Sequence, residues 1–263
     1  MANTPYNNFF LANEIEDQFN SHLDLERFCT VDRDLELNVG MTKTVHRYSA
    51  TNGTQKLAQG QGNTNTIEAS YTYVDYDILC AQNRFSWFDE EEKKDPMIVL
   101  TGTNHMGVDL YNKSNSDIYA ELVGATNTMN VTAFNFDAIV DGVATLDLPE
   151  SEDEKVEVFA FVNRTHAAEL RKNLKDDLKY IEAFARTGYI GTVAGVHIYT
   201  KKDATANKMV IATKKAVTKF VKTGTEIEDE RDANIRKNTK YARKYYVCAL
   251  TDETQVVVLN KTA

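Results

Sequence analysis

The segment from Met41 to Ile78 places the strongest constraint on what this chain folds into. Met41–Ala50 is rich in Thr, Val, His and Tyr, and Ile67–Ile78 alternates polar with apolar or aromatic residues. Both patterns are typical of strands. Between them lies a loop of Gly, Asn, Gln and Thr residues that begins near Asn52 and Gly53. The segment therefore predicts a β-hairpin with arms of about 10–12 residues, roughly 35 Å long.

The tip of this hairpin contains almost no residue that would fold back into a core. An isolated two-stranded ribbon is only marginally stable in water. One interpretation is that the hairpin projects and lies on a neighbouring copy of the chain. The other is that it packs on its own domain and ends in a flexible loop.

Charge is distributed unevenly along the chain. The net charge is −9, but Lys201–Ala263 carries 14 basic and 8 acidic residues. Within that region an acidic block, Glu226–Asp232, precedes a basic block, Arg236–Lys244. One interpretation is a solvated face of a helix or hairpin. The other is that opposite blocks pair with those of an identical neighbour.

The remaining segments switch between helical and strand periodicity. Helices are predicted over Asn13–Phe19, Gly107–Val123, Asn135–Asp147 and Thr165–Gly188, with weak helical character over Glu226–Lys237. Strands are predicted over Lys155–Asn163, Tyr189–Lys202, Lys208–Ala212, Tyr245–Leu250 and Gln255–Leu259. Helices mixed with mostly antiparallel strands predict an α+β fold.

No pattern for catalysis or cofactor binding is found. Gly188, Gly191 and Gly195 superficially resemble a dinucleotide loop, but they follow a helix and lead into a β-branched strand, the wrong context for phosphate binding. They are predicted to be structural turns. The 5 His residues lack metal-ligand spacing. We therefore predict no catalytic residue, no metal site and no cofactor.

Composition excludes further classes of protein. The longest apolar stretches, such as Met97–Leu100, are too short to cross a bilayer, and the N-terminus lacks the pattern of a signal peptide. The 3 Cys residues are widely separated, which suits a reducing compartment. The acidic net charge argues against a DNA-binding protein, because contacts with phosphates need clustered positive charge. We expect no membrane partner.

The order of elements from Phe134 to Lys202 is the most specific part of the sequence. It contains a helix, a central strand, a helix that begins after an Asn163-Arg164 turn, and a glycine-containing ribbon. Together with the preceding hairpin, this arrangement resembles the major capsid proteins of tailed bacteriophages, whose shell fold is shared with encapsulins. The tail EIEDERDANIRKNTKYARKYYVCAL is also similar to that family, because a charged helix-like segment precedes a Tyr-rich strand.

The resemblance implies the α+β major capsid fold in five parts. These are an N-terminal arm (1–40), an extended β-hairpin loop (41–80), a spine helix with the first part of the peripheral domain (81–129), an axial domain (130–212) and the second part of the peripheral domain (213–263).

The resemblance also implies a non-enzymatic shell protein that assembles with itself, as hexamers and pentamers, into an icosahedral capsid around double-stranded DNA. It would be made and assembled in the cytoplasm of a host bacterium and reside in the virion capsid. A separate scaffolding protein, a portal and a decoration protein are the implied partners, and the DNA is held without sequence-specific binding. The alternatives are an encapsulin-like protein compartment and, from another class, an acidic cytosolic hydrolase with an unrecognised site.

Carried over to this chain, the resemblance implies inter-subunit contacts at the hairpin tip and in the charged tail. The residues are Asn52, Gly53, Lys56, Gly60, Gly62, Glu226, Glu228, Glu230, Arg236 and Lys237. Some relatives cross-link covalently through a lysine in the extended loop. Lys56 lies near that place, but no partner asparagine is identified, so no cross-link is predicted.

Overall fold

The computed structural model describes residues 24–95, 97–148, 156–173 and 189–262, and these form three β-sheets and four α-helices. The predicted helix over Asn13–Phe19, the end of the helix that starts near Thr165, and Gly188 lie outside the described residues. The helices are α1 (Asp89–Lys94), α2 (Met97–Val123), α3 (Phe136–Ala144) and α4 (Arg164–Asn173). The strands are β1 (Thr30–Asp32), β2 (Thr42–Ala50), β3 (Ala69–Asp77), β4 (Leu79–Phe88), β5 (Thr128–Val131), β6 (Val158–Val162), β7 (Tyr189–Val193), β8 (Val196–Thr200), β9 (Lys208–Thr213), β10 (Val217–Asp232), β11 (Lys237–Leu250) and β12 (Val256–Lys261).

The largest sheet has six strands in the order β5-β12-β9-β6-β8-β7. Its central strand β6 is buried along its whole length, which explains its continuous apolar sequence, VFAFV. Helices α3 and α4 contribute Ile139 and Leu170 to a core with this sheet. Asn135 caps α3 by accepting a hydrogen bond from the Ala138 amide at 2.9 Å, as its place before the helix predicts.

The second sheet has the order β1-β10-β11-β4 and is dominated by the long β10–β11 hairpin. Helix α2 joins the two sheets, because Ile118 and Leu122 pack in one core with Phe161 of β6 and Val221 of β10. None of the helices in the described ranges is both long and apolar enough to cross a membrane.

Two sequence predictions of secondary structure are wrong. Helix α2 begins at Met97, well before Gly107, because packing on β4 stabilises a first half that is poor in helix formers. Glu226–Lys237 is not helical but forms the end of β10, a turn and the start of β11. There Ile227 faces Met106 of α2, and the acidic residues pair across the strands. The side chains of that segment therefore alternate in direction every two residues, as in a strand, rather than every 3.6 residues, as in a helix.

Candidate assembly surfaces

The predicted hairpin is present as a separate two-stranded sheet of β2 and β3. The strands pair antiparallel from Thr42 opposite Asp77 to Ala50 opposite Ala69. Most of its residues are exposed, in contrast to the strands of the other sheets. The hairpin is thus a projection with little core of its own.

The root of the hairpin is fastened to the second sheet by Lys43 and Tyr76. The Lys43 ammonium lies 3.0 Å from the Asp32 carboxylate and 3.2 Å from that of Asp34. It also lies 5.8 Å from the centre of the Phe220 ring, on which the Tyr76 ring stacks at 5.7 Å. The hydrogen bond to Asp32 raises the pKa of Lys43, because it stabilises the charged ammonium. The root therefore fixes the direction in which the hairpin projects.

The tip of the hairpin holds five of the predicted contact residues. Gly53 is buried against Ile67, and a Cβ placed on it would lie 2.6 Å from the Ile67 Cγ1. The Asn63 side-chain amide donates to the Gly53 carbonyl at 2.9 Å and closes the loop. Gly60 has a φ of +85°, which favours glycine. The remaining three predicted residues, Asn52, Lys56 and Gly62, are exposed.

The charged tail forms a hairpin in which the acidic and basic blocks pair within the chain. The Arg243 guanidinium donates to Glu226 at 2.8 Å and to Glu228 at 2.6 Å. The Tyr241 hydroxyl donates to Glu230 at 2.8 Å. These bonds match the sequence interpretation of a solvated hairpin face. Contact of the same residues with a neighbouring copy stays a prediction.

The remaining predicted residues of the tail lie near the turn of this hairpin. The Arg236 guanidinium forms an ion pair with Glu90 of α1 at 2.8 Å. Lys237 is half-buried and stands opposite Asp232 on one side and Phe88 on the other. The turn is thereby fastened to the end of β4.

Two of the three predicted turn glycines lie in or beside the β7–β8 connection. Gly191 and Gly195 have φ values of +123° and +80°. Both values belong to the region that favours glycine, which agrees with a structural role. Within the described parts of the chain, no cluster of His, Cys, Asp and Glu side chains is arranged to hold a metal ion.

A buried polar centre around Lys219 is not predicted by the sequence analysis. The side chain of Lys219 is 1% exposed, and its ammonium lies 2.7 Å from the Ser114 hydroxyl and 3.3 Å from Glu26. It lies 5.2 Å from the centre of the Tyr246 ring, whose hydroxyl donates to Asp117 at 2.8 Å. The centre joins Glu26, in the described part of the predicted N-terminal arm, to α2, β10 and β11.

The pKa values of this centre reflect both its burial and its charges. Burial works to raise the pKa of Glu26, but the charges of Lys219, Lys244 and Arg33 and the hydrogen bond from Lys219 together hold that pKa below its ordinary value. Burial, with the hydrogen bond to Asp117, raises the pKa of Tyr246. The sequence signal for this centre is a lysine within the otherwise strand-like pattern VTKFV. Its partners lie far away in the sequence, so they could not be identified from it.

Comparisons with known proteins agree with the architecture. No family model matches the chain. A curated relative is the "Major capsid protein" of Staphylococcus phage phiMR11, which is 23% identical over 95% of this chain and 92% of its own length.

Solved structures show the same fold over almost the whole chain. The asymmetric unit of the bacteriophage PhiM1 mature capsid matches with a TM-score of 0.69 and 11% identity, and the match covers 100% of this chain and 89% of that one. A virus-like particle from Pyrococcus furiosus matches with a TM-score of 0.64 and 15% identity, over 96% and 98% of the two chains. These comparisons confirm the predicted resemblance and the α+β capsid fold.

Proposed function

We propose that this chain is a structural major capsid protein of the tailed-phage type, a shell subunit and not an enzyme. The fold supports this proposal, as does a relative of that name matched over 95% of the chain. The observation that carries it is the exposed β2–β3 hairpin. A two-stranded projection is only marginally stable by itself, and it gains stability when it lies on a neighbour in a closed shell.

The finer parts of the proposal concern the assembled particle. The chain forms hexamers and pentamers of an icosahedral shell in the host bacterial cytoplasm, with a separate scaffolding protein, a portal and a decoration protein as partners. The shell encloses double-stranded DNA without sequence-specific binding. The net charge of −9 supports this, because an acidic wall confines a polyanion without holding it tightly.

We assign the parts of the chain to roles in that shell. Residues 1–40 are the N-terminal arm, 41–80 the extended loop, 81–129 the spine helix with part of the peripheral domain, 130–212 the axial domain and 213–263 the rest of the peripheral domain. Contacts between subunits are made by the hairpin tip, including Lys56, and by the outer face of the charged hairpin, including Glu228. The exposure of these groups supports the assignment.

The two alternatives are less well supported. An encapsulin-like compartment uses the same fold, but the curated relative is a phage capsid protein. An acidic hydrolase has no support from the relatives, which are structural proteins.

The test is electron microscopy of the purified chain, expressed alone and together with a scaffolding protein. We expect closed particles of uniform size. A variant that lacks Leu57–Gly62, but keeps the bond between Asn63 and Gly53, tests the role of the hairpin. It is expected to fold and to form no shells. A wild-type chain that stays monomeric under both conditions contradicts the proposed function, and normal particles from the deletion contradict the role of the tip.

A further inference from the structure

A buried histidine near the start of α4, His166, accepts a hydrogen bond from the backbone of another element. Its Nε2 accepts from the N–H of Asn207 at 3.1 Å, and the residue is only 9% exposed. A backbone N–H only donates, so Nε2 must offer a lone pair and carry no proton. The proton of the neutral ring therefore lies on Nδ1, which donates to the Glu169 carboxylate at 3.1 Å. The contacts of the ring thus define one tautomer of a neutral imidazole.

The elements that pack on this ring differ in the groups they contribute. Glu169 comes from α4 itself, and its carboxylate also bonds to the Lys261 ammonium, at the end of β12, at 2.6 Å. Phe134, just before α3, presents an uncharged ring whose centre lies 5.2 Å from that of His166. Asn207 contributes its backbone amide. Among the residues that the structure describes, Glu169 and Lys261 are the charged groups bonded within this network.

Asn207 is the last residue of the connection between β8 and β9, residues 201–207. Its φ is +58°, in the left-handed region that residues other than glycine adopt at a cost in free energy. Its carbonyl accepts from the Lys261 amide at 2.8 Å. The bonds to His166 and Lys261 therefore hold the end of the connection in a strained conformation.

The same connection joins the six-stranded sheet to α2. The Thr205 amide donates to the Tyr119 hydroxyl at 3.1 Å, and the Lys201 ammonium lies 5.1 Å from the centre of the Tyr119 ring. Ala204 is buried in the core that α2 shares with both large sheets. A movement of the connection that begins at Asn207 would therefore reach the contact between α2 and the sheet.

Protonation of His166 changes the contacts on one side of the ring. Histidine is the side chain whose charge normally changes between about pH 5 and 8. A proton on Nε2 would meet the N–H of Asn207, so two donors would face each other and the bond would be lost. On the other side the imidazolium keeps Glu169, because the hydrogen bonds from Lys261 and His166 hold the pKa of that carboxyl below its ordinary value. Protonation is therefore expected to release Asn207 without unfolding the chain.

We infer that His166 is a proton-sensitive latch of the β8–β9 connection. In its neutral form it holds Asn207, and with it the contact between the connection and α2. In its protonated form it releases Asn207, while α4 and β12 stay joined through Glu169 and Lys261. This device goes beyond the proposed function and does not depend on whether the chain assembles.

Hydrogen exchange of the folded, full-length chain at about pH 7.5 and pH 5.5 tests this inference. Each rate is divided by the rate in the unfolded chain at the same pH, which removes the intrinsic effect of pH on exchange. The Asn207 amide is expected to lose roughly five- to tenfold of its protection at the lower pH, the ratio that corresponds to one hydrogen bond. The Ala167 amide, which donates to the Asn163 carbonyl at 2.8 Å beside the same histidine, is expected to keep its protection.

Two variants separate the latch from a general effect of acid. His166→Gln keeps an acceptor near the position of Nε2 but takes up no proton. Whatever its level, the protection of Asn207 in this variant is expected to be the same at both pH values. His105→Gln, at an exposed position of α2, is the matched control and is expected to behave like wild type.

Nitrogen NMR of the wild-type chain with labelled histidines gives a measurement that does not depend on either variant. We expect the proton of the neutral His166 ring on Nδ1 at about pH 7.5. A proton on Nε2 under this condition overturns the inference. Equal protection of Asn207 at both pH values in wild type also overturns it, as does a loss in His166→Gln that matches the wild-type loss.

Discussion

The ring of Phe85 lies directly against the backbone of Gly102, and a Cβ on Gly102 would fall 2.4 Å from the ring Cζ. The contact joins β4 to the first half of α2, and Met106 packs beside Phe85 on the same side. Any side chain at position 102 forces the ring or the helix to move.

We predict that Gly102→Ala destabilises the subunit by about 1–3 kcal/mol, because the clash outweighs the gain in helix propensity of about 1 kcal/mol. Urea unfolding measures the difference. Gly224→Ala is the control, because no atom lies within 4 Å of its Cβ position. If Phe85→Leu does not restore part of the loss, the ring is not the cause.

The pair of Glu26 and Lys219 predicts a dependence of stability on pH. Glu26→Gln leaves a buried ammonium without a counter-charge and is expected to cost about 2 kcal/mol at pH 7. The pKa of Glu26 is lower in the folded subunit than in the unfolded chain. The contribution of its carboxylate to the free energy of unfolding is therefore complete above about pH 4.3 and is lost as the pH falls through the folded pKa.

Unfolding of wild type and Glu26→Gln by urea at pH 7, 5, 4 and 3 checks this prediction. The difference between the two proteins is expected to shrink below about pH 4. Glu36→Gln is the control, because Glu36 forms only a 4.0 Å pair with exposed Arg33. A constant difference across this range contradicts the assignment.

The three cysteines are predicted to differ sharply in reactivity. Burial raises the pKa of Cys29 and of Cys248 to about 12, whereas Cys80 is exposed. A thiol reagent at pH 8 is expected to label one thiol of the native, unassembled subunit quickly and all three only in denaturant. Cys80→Ser removes the fast phase, and fast labelling in that variant contradicts the prediction.

We predict that the same two thiols make the subunit less stable at alkaline pH. The pKa of each thiol is higher in the folded subunit than in the unfolded chain. Its contribution to the free energy of unfolding is therefore complete below the unfolded pKa of about 8.5 and is lost as the pH rises toward 12. Cys248→Ala, compared with wild type, is expected to weaken this loss between pH 9 and 11.

Local patterns were enough to predict the parts of the fold that depend on neighbours in sequence. The β2–β3 hairpin follows from alternation around a glycine-containing loop, and α3 from the cap at Asn135 and its apolar spacing. The start of α2 was not predictable in this way. Its Gly102 is a poor helix former and is explained only by Phe85, which lies on another strand.

The candidate assembly surfaces also differ in whether local sequence patterns could predict them. The exposed tip was predictable from composition, whereas the buried centre around Lys219 requires the fold that brings Ser114 and Glu26 next to that lysine. The acidic block was predicted as weakly helical because Glu and Arg favour helices. Its strand conformation depends on Arg243, which lies on the next strand.

The last prediction concerns the charged hairpin, in which Arg243 forms ion pairs with two glutamates. Its guanidinium bonds to Glu226 and Glu228, and these carboxylates are 39% and 60% exposed. A double-mutant cycle of Arg243→Gln and Glu228→Gln is therefore expected to give only a small coupling energy in the isolated subunit, because solvent screens the exposed pair. Reversal of Glu226, Glu228 and Glu230 to Lys is expected to lower the yield of particles far more than this loss of stability explains, if the outer face of the hairpin contacts a neighbour. Urea unfolding and sedimentation of the same samples separate the two effects. A yield that falls only in proportion to stability means that these charges serve the fold of the subunit alone.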